Sequence, residues 1–144
     1  MKKYFIFCCC FCLILLTGCD KKKTLECSRS DNMTDISINY DVIVSFNNDI
    51  VSNYSLDMDV SLVGDYINER DNLSDSLQKQ YNDFSNSKGF KSNLKYRDDG
   101  FKFSLDVDYN KISDDIKKKL SIIDSTNSYD EIKTDLVNDG YICK

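Results

Sequence analysis

The sequence predicts an α+β fold, an antiparallel sheet of about four to six strands with helices packed on one face. Three observations predict it. Residues 36–62 and 90–109 alternate apolar and polar side chains with a period of two, and each stretch is broken once by turn formers, Asn47-Asn48-Asp49 and Asp98-Asp99-Gly100. Between them Tyr66, Arg70, Leu73, Leu77, Tyr81 and Phe84 recur three or four apart, one stripe along a helix. Two short helical segments and an apolar triplet close the chain, and no repeat or linker divides it.

In order, Leu25-Glu26-Cys27 reads as a short first strand and Ser28 to Asp35 as a loop. Ile36, Ile38, Tyr40, Val42, Val44 and Phe46 form the inner face of the next strand. Tyr54, Leu56, Met58, Val60 and Leu62 do the same for the strand after it. Phe46 and Ile50 are expected to share a face across a three-residue loop, because Asn and Asp tolerate the left-handed conformation such loops require. The helix starts between Asp65 and Asn72, and Gly89 stops the segment.

Phe90, Leu94 and Tyr96 point inward from a strand whose outer face carries Lys91, Asn93, Lys95 and Arg97. Phe101, Phe103, Leu105, Val107 and Tyr109 form the cleanest alternation in the chain. Pairing Tyr96 with Phe101 sets Lys91 opposite Asp106, with Gly100 taking a left-handed turn position. Ser113 caps a short helix with Asp114 and Asp115 first and Lys117 to Lys119 last, in accord with the helix dipole. Ser128 and Glu131 make a capping box for another, which turns Ile132, Leu136 and Val137 to the core and ends at Gly140. Tyr141-Ile142-Cys143 is the last strand.

The stretch before this domain has a different character. Lys2 and Lys3 precede an uncharged run from Tyr4 to Leu16, short of the ~20 apolar residues of a membrane-spanning helix. It closes with Leu16-Thr17-Gly18-Cys19, which resembles the lipobox of bacterial lipoproteins. That resemblance implies a signal peptide over 1–18 and a lipidated, palmitate-bearing Cys19 as the mature N-terminus. Residues 19–24 are then the lipidated cysteine and a tether, and 25–144 a single domain. Lys21, Lys22 and Lys23 in the tether can meet anionic head groups. The expected location is the cell membrane, lipid-anchored and facing the extracytoplasmic side.

Loss of Lys2 and Lys3 leaves 17 bases against 24 acids, a formal charge of −7 where the whole chain carries −5. Such an acidic chain is a poor nucleic-acid binder. The chain has no histidine, which removes the commonest general base and metal ligand, and with them the usual Ser-His and Cys-His nucleophiles. An enzyme is not expected, and no cofactor. Of seven cysteines, Cys8, Cys9, Cys10 and Cys12 fall in the signal segment and Cys19 takes lipid. Cys27 and Cys143 remain, at opposite ends of an exported domain whose termini tend to meet, and are predicted to form a disulfide.

Asp57 and Asp59 share the outer face of one strand, Asp106 and Asp108 that of another. Grouped carboxylates suit Ca²⁺, so these four are the candidate cation-binding residues, although no Asp-x-Asp-x-Asp-Gly loop accompanies them. Tyr40, Tyr54, Tyr81, Tyr96 and Tyr109 are expected to line the core between sheet and helices.

Taken in order, the lipobox, Thr24-Leu25-Glu26-Cys27, the hairpin turning at Asn47 to Asp49 and the helix near Leu73 to Phe84 resemble the YehR-like family of small bacterial lipoproteins. Lys88-Gly89-Phe90, Asp98-Asp99-Gly100 and Asp139-Gly140-Tyr141 complete the match. The family's function is unknown. The resemblance implies an α+β fold and an envelope location and supplies no site residues. The expected function is a lipid-anchored, non-enzymatic domain that binds an envelope protein or a small ligand. The alternative is a cation- or small-ligand-binding module built on the acidic strand face.

Overall fold

A computed structural model describes residues 21–120 and 122–144. The expected signal segment and Cys19 lie outside the described residues. The strands are β1 Lys22–Asn32, β2 Ile36–Asn47, β3 Ile50–Leu62, β4 Phe90–Arg97, β5 Gly100–Asp108 and β6 Ile142–Cys143. The helices are α1 Arg70–Tyr81, α2 Asp114–Leu120 and α3 Tyr129–Asn138. All strand pairs are antiparallel, in the order β4-β5-β3-β2-β1-β6. The chain thus runs a three-strand meander, crosses by α1 to the far edge, and inserts β5 between β4 and β3. This is the α+β antiparallel sheet expected, with six strands.

The helices cover one face. On it Leu25, Val42, Val44, Phe46, Phe103, Leu105 and Val107 are almost wholly excluded from solvent. From α1 and the 3₁₀ turn after it, Tyr81 stacks on Phe103 with centroids 5.5 Å apart and Phe84 meets Phe90 at 5.7 Å. From α3, Ile132 is buried and Tyr129 lies edge-on to Phe46 at 5.3 Å. The capping box forms as expected, Ser128 accepting from the Glu131 amide and the Glu131 carboxylate accepting from the Ser128 amide. Gly140, at φ +89°, closes α3: its amide donates to the Val137 carbonyl and that of Tyr141 to Leu136.

Several expectations are corrected. β1 runs eleven residues. Lys22 to Thr24, expected as tether, pair with Ser45 to Asn47, and Ser28 to Asn32, expected as loop, pair with Ser37 to Asp41. Polar composition hid the strand, since only Leu25 and Cys27 of it are buried. The β2–β3 loop has two residues: Asn47 pairs with Ile50, and Asn48 and Asp49 both have positive φ, the type I′ geometry that suits strand twist. Ile50 therefore points outward and Val51 inward, and a bulge at Ser52 restores the register so that Tyr54 faces the core.

On α1, Ser74 is the fully buried residue and Leu73 is exposed. The Ser74 hydroxyl donates to the Asp71 carbonyl at 3.0 Å, which satisfies it. Val137 is exposed; only Ile132 and Leu136 of its trio face the core. Gly100 has no positive φ. It is required by close approach instead, because a Cβ there would lie 1.9 Å from the Val60 carbonyl oxygen.

Tyr54 and Tyr109 are core residues as expected, Tyr40 and Tyr81 pack at its margin, and Tyr96 is half exposed. The Tyr109 hydroxyl donates to the Ile123 carbonyl at 3.3 Å. Burial raises both core phenols, Tyr109 to about 12 and Tyr54 upward as well. An unfolded phenol ionises near 10, so the folded state keeps its full advantage below about pH 10 and loses it as pH rises through about 12. An alkaline titration of the folded domain is expected to show two of its eight tyrosines ionising only as the protein unfolds. Noncooperative titration of all eight, with the fold intact, would contradict their burial.

Candidate functional site

The uncovered face of the sheet is built from alternate residues that cannot enter the core. Its register is fixed by the pairing. One row runs Glu26–Ile43–Ser55–Asp106–Lys91, the next Ser28–Asp41–Asp57–Ser104–Asn93, the next Ser30–Asn39–Asp59–Lys102–Lys95. Lys91 thus stands opposite Asp106, as the sequence register requires.

The four candidate carboxylates share this face without forming one site. Asp59 accepts from Arg97 Nη1 at 2.8 Å and from Lys102 Nζ at 2.9 Å. Asp108 is paired with Lys111, whose ammonium holds the carboxyl below its usual range. Asp57 and Asp106 occupy neighbouring strands one row apart, beside Ser104 and Ser55. Among the described residues no three His, Cys, Asp or Glu side chains are grouped so as to hold a metal ion. A shallow depression of about 530 Å³ does lie here, between Ser55, Ser104, Asp106, Lys91 and Asn93.

Arg97 organises the far end of the face. Its guanidinium reaches over β5 to donate to the Val60 carbonyl at 3.1 Å and the Ser61 hydroxyl at 2.9 Å, besides Asp59. It can do so because the residue it crosses, paired with both Arg97 and Ser61, is Gly100. Lys91, Lys95 and Arg97 also place charge along the β4 edge, which discourages pairing with another sheet.

At the other margin Cys27 and Cys143 face each other across β1 and β6 and are joined in a disulfide, as predicted. Ile142 projects from this edge beside Ser28, and with Ile43, Glu26 and Lys144 it borders a depression of about 230 Å³. On the helix side Arg29 lies over the rings of Tyr40 and Tyr141, 4.7 and 5.1 Å from their centroids, and donates to the Asp139 carbonyl at 3.0 Å. It thereby joins β1 to the end of α3. Read as a loop residue, Arg29 gave no sequence signal of this role. A third depression, of about 600 Å³, opens between α2 and residues 122–126, lined by Lys117, Ile122, Ile123, Asp124 and Thr126.

The two ends of the sheet differ. At one, Lys22 begins β1 opposite Asn47, so the chain enters beside the β2–β3 turn. The Lys21 amide donates to the Asn48 side chain, and Lys23 reaches Asp49 at 3.3 Å beneath the Tyr129 ring. Lys21 and Lys22 are exposed there. At the other end Met33, Val63, Tyr66 and Ile67 are 40 to 61% exposed. Met33 and Val63 carried a sequence signal, as apolar residues in otherwise polar connections, but Tyr66, expected on the helix stripe, lies exposed in the 3₁₀ turn Gly64–Glu69 ahead of α1.

Comparison with known proteins follows the same architecture. A family described as protein of unknown function, DUF1307, matches residues 23–139. An uncharacterized lipoprotein of Listeria innocua is 28% identical over 114 residues, 78% of this chain and 72% of that protein. A Streptococcus pneumoniae TIGR4 protein solved by NMR superposes with a TM-score of 0.56 at 12% identity, over 87% of this chain and 86% of that one. The Escherichia coli YehR protein, also solved by NMR, gives 0.56 at 15% identity over 86% and 91%. At these identities the two structures speak to the fold alone. The resemblance to YehR-like proteins drawn from the sequence is borne out.

Proposed function

Because the chain belongs to the DUF1307 family of proteins of unknown function, we propose a function from its own residues: a lipoprotein, anchored through Cys19 on the extracytoplasmic side of the membrane, whose domain binds an envelope protein or small ligand without catalysis. The carrying observation is the lipobox-like Leu16-Thr17-Gly18-Cys19, followed three residues later by the first strand of the sheet. The Listeria relative, itself called a lipoprotein, supports the anchor.

The early start of β1 sharpens this reading. Three residue steps separate Cys19 from Lys22, a reach of at most about 11 Å. The domain then stands on the bilayer by its β2–β3 end, with Lys21 and Lys22 worth roughly 1 kcal/mol each at an anionic surface. Stable anchoring needs two or more acyl chains, which lipidation of the cysteine sulfur and amine supplies.

The absence of catalysis rests on the lack of histidine in the sequence. The cation-binding alternative has less support, since Asp59 and Asp108 already carry cationic partners. Replacement Cys19→Ala is expected to leave the precursor uncut or to release the protein from membranes, with loss of the lipid mass. Intact mass spectrometry of membrane extracts reads this. An unchanged mature mass in the variant refutes lipidation.

A further inference from the structure

We propose that the end of the sheet opposite the anchor is a docking surface for a basic, apolar segment of another protein. This deepens the binding-domain reading above, on which it rests, and requires nothing of the lipid. Met33, Val63, Tyr66 and Ile67 present exposed apolar surface here. Scattered exposed apolar residues are ordinary, but these four lie on two connections at the same end of the molecule. The Val63 amide donates to the Asp35 carbonyl at 2.9 Å, which ties the β3 exit to the β1–β2 turn. The Leu62 amide donates to the Asp99 carbonyl at 2.7 Å, and Arg70 Nη1 to the Arg97 carbonyl at 2.8 Å, which bring the β4–β5 turn and the start of α1 into the same surface.

Charge specifies the partner. The rim carries Asp35, Asp65, Glu69, Asp98 and Asp99 from the three connections that meet here and Asp71 from the first turn of α1. Its two bases are already engaged, Arg70 with Asp71 at 2.9 Å and Arg97 with Asp59 and Asp99. The surplus is acidic around an apolar centre, so a segment with Lys or Arg flanking apolar side chains is complementary, while an acidic protein or an anionic bilayer is repelled. The position suits this use. Strands of 11 to 13 residues carry the surface about 35–40 Å from Lys22, clear of the membrane.

The test uses the full-length protein in cells of its own host. A photo-crosslinking residue replaces Val63, Ile67, Ile43 or Ile142, one at a time; all four positions are exposed, so the fold tolerates them. Positions 63 and 67 are expected to join the same protein, with yields about tenfold above positions 43 and 142, the joined peptide being basic and apolar. Asp65→Asn with Asp98→Asn is expected to cut the yield about fivefold, and Asp57→Asn with Asp106→Asn to leave it unchanged. Joining to lipid or to an acidic segment, or insensitivity to the first pair, overturns the proposal. Adducts from positions 43 and 142 alone overturn it while the binding-domain reading stands, and no protein adduct at any position overturns it and leaves only the small-ligand form of that reading.

Discussion

Replacing Cys27 and Cys143 together by alanine is expected to lower stability by about 4–5 kcal/mol. The bond closes a loop of 116 residues, and the chain entropy released when so long a loop opens sets that scale. Domains of this size are stable by only about 5–15 kcal/mol, so the loss is a large part of the whole. The melting temperature is expected to fall by roughly 15–20 °C. The structure adds where the loss is felt first. β6 has two residues, held by pairing with Cys27 and Ser28 and by the Lys144 amide donating to the Glu26 carbonyl at 2.9 Å. With the covalent link gone, these backbone bonds, Arg29 and the packing of Tyr129 and Ile132 are left to join α3 and β6 to the sheet. Amide exchange is therefore expected to quicken in α3 and β6 before the central strands. A fall of less than about 5 °C, or uniform exchange, would show that the C-terminal unit is held by packing alone.

The second large effect is at Gly100. Alanine there puts a methyl group 1.9 Å from the Val60 carbonyl oxygen and 2.9 Å from its carbon, both backbone atoms of the neighbouring strand. The atoms that must give way are not the ends of flexible side chains, so β3 and β5 must part at this end. Arg97 also loses the open path by which it reaches Val60, Ser61 and Asp59. A cost of about 3 kcal/mol or more is expected, in the range of overpacked cores. Gly64 is the internal control. Its φ is +63°, yet nothing lies within 4 Å of a Cβ built there, so Gly64→Ala is expected to cost only about 1 kcal/mol. Denaturant unfolding of the two variants reads the order. If Gly64→Ala proves the more damaging, backbone conformation outweighs close approach in this fold.

Expectation and structure part company in particular places. Period-two alternation was visible wherever one face of a strand is core, so β2, β3, β4 and β5 were legible, and with them the Lys91–Asp106 register. β1 was legible only at Leu25 and Cys27, because most of its eleven residues are polar and its length comes from pairing with β2. The turn at Asn48-Asp49 was located but misjudged by one residue. Local pattern cannot distinguish a longer loop from a tight turn followed by a bulge; both keep apolar residues on one face. In α1, Leu73 and Ser74 differ by one helical position, and only the packing of α1 against β4 and β5 decides which is buried.

The candidate carboxylates teach the same distinction. Alternation placed Asp57, Asp59, Asp106 and Asp108 on the uncovered face. It did not show that Asp59 would be met by Arg97 from two strands away, or Asp108 by Lys111 beyond the strand end.

By itself the sequence determined the fold class, the lipobox-like motif at Cys19, the pairing of Cys27 with Cys143, the capping box at Ser128 and the exclusion of histidine chemistry. These rest on residue types and short spacings, which any fold must respect. Strand order, the burial of Ser74, the reason for Gly100, the reach of Arg97 and Arg29, and the gathering of Met33, Val63, Tyr66 and Ile67 at one end were decided only by the tertiary structure. Each depends on which backbones lie side by side, and residues 36 to 110 positions apart in the chain carry no local mark that they will meet.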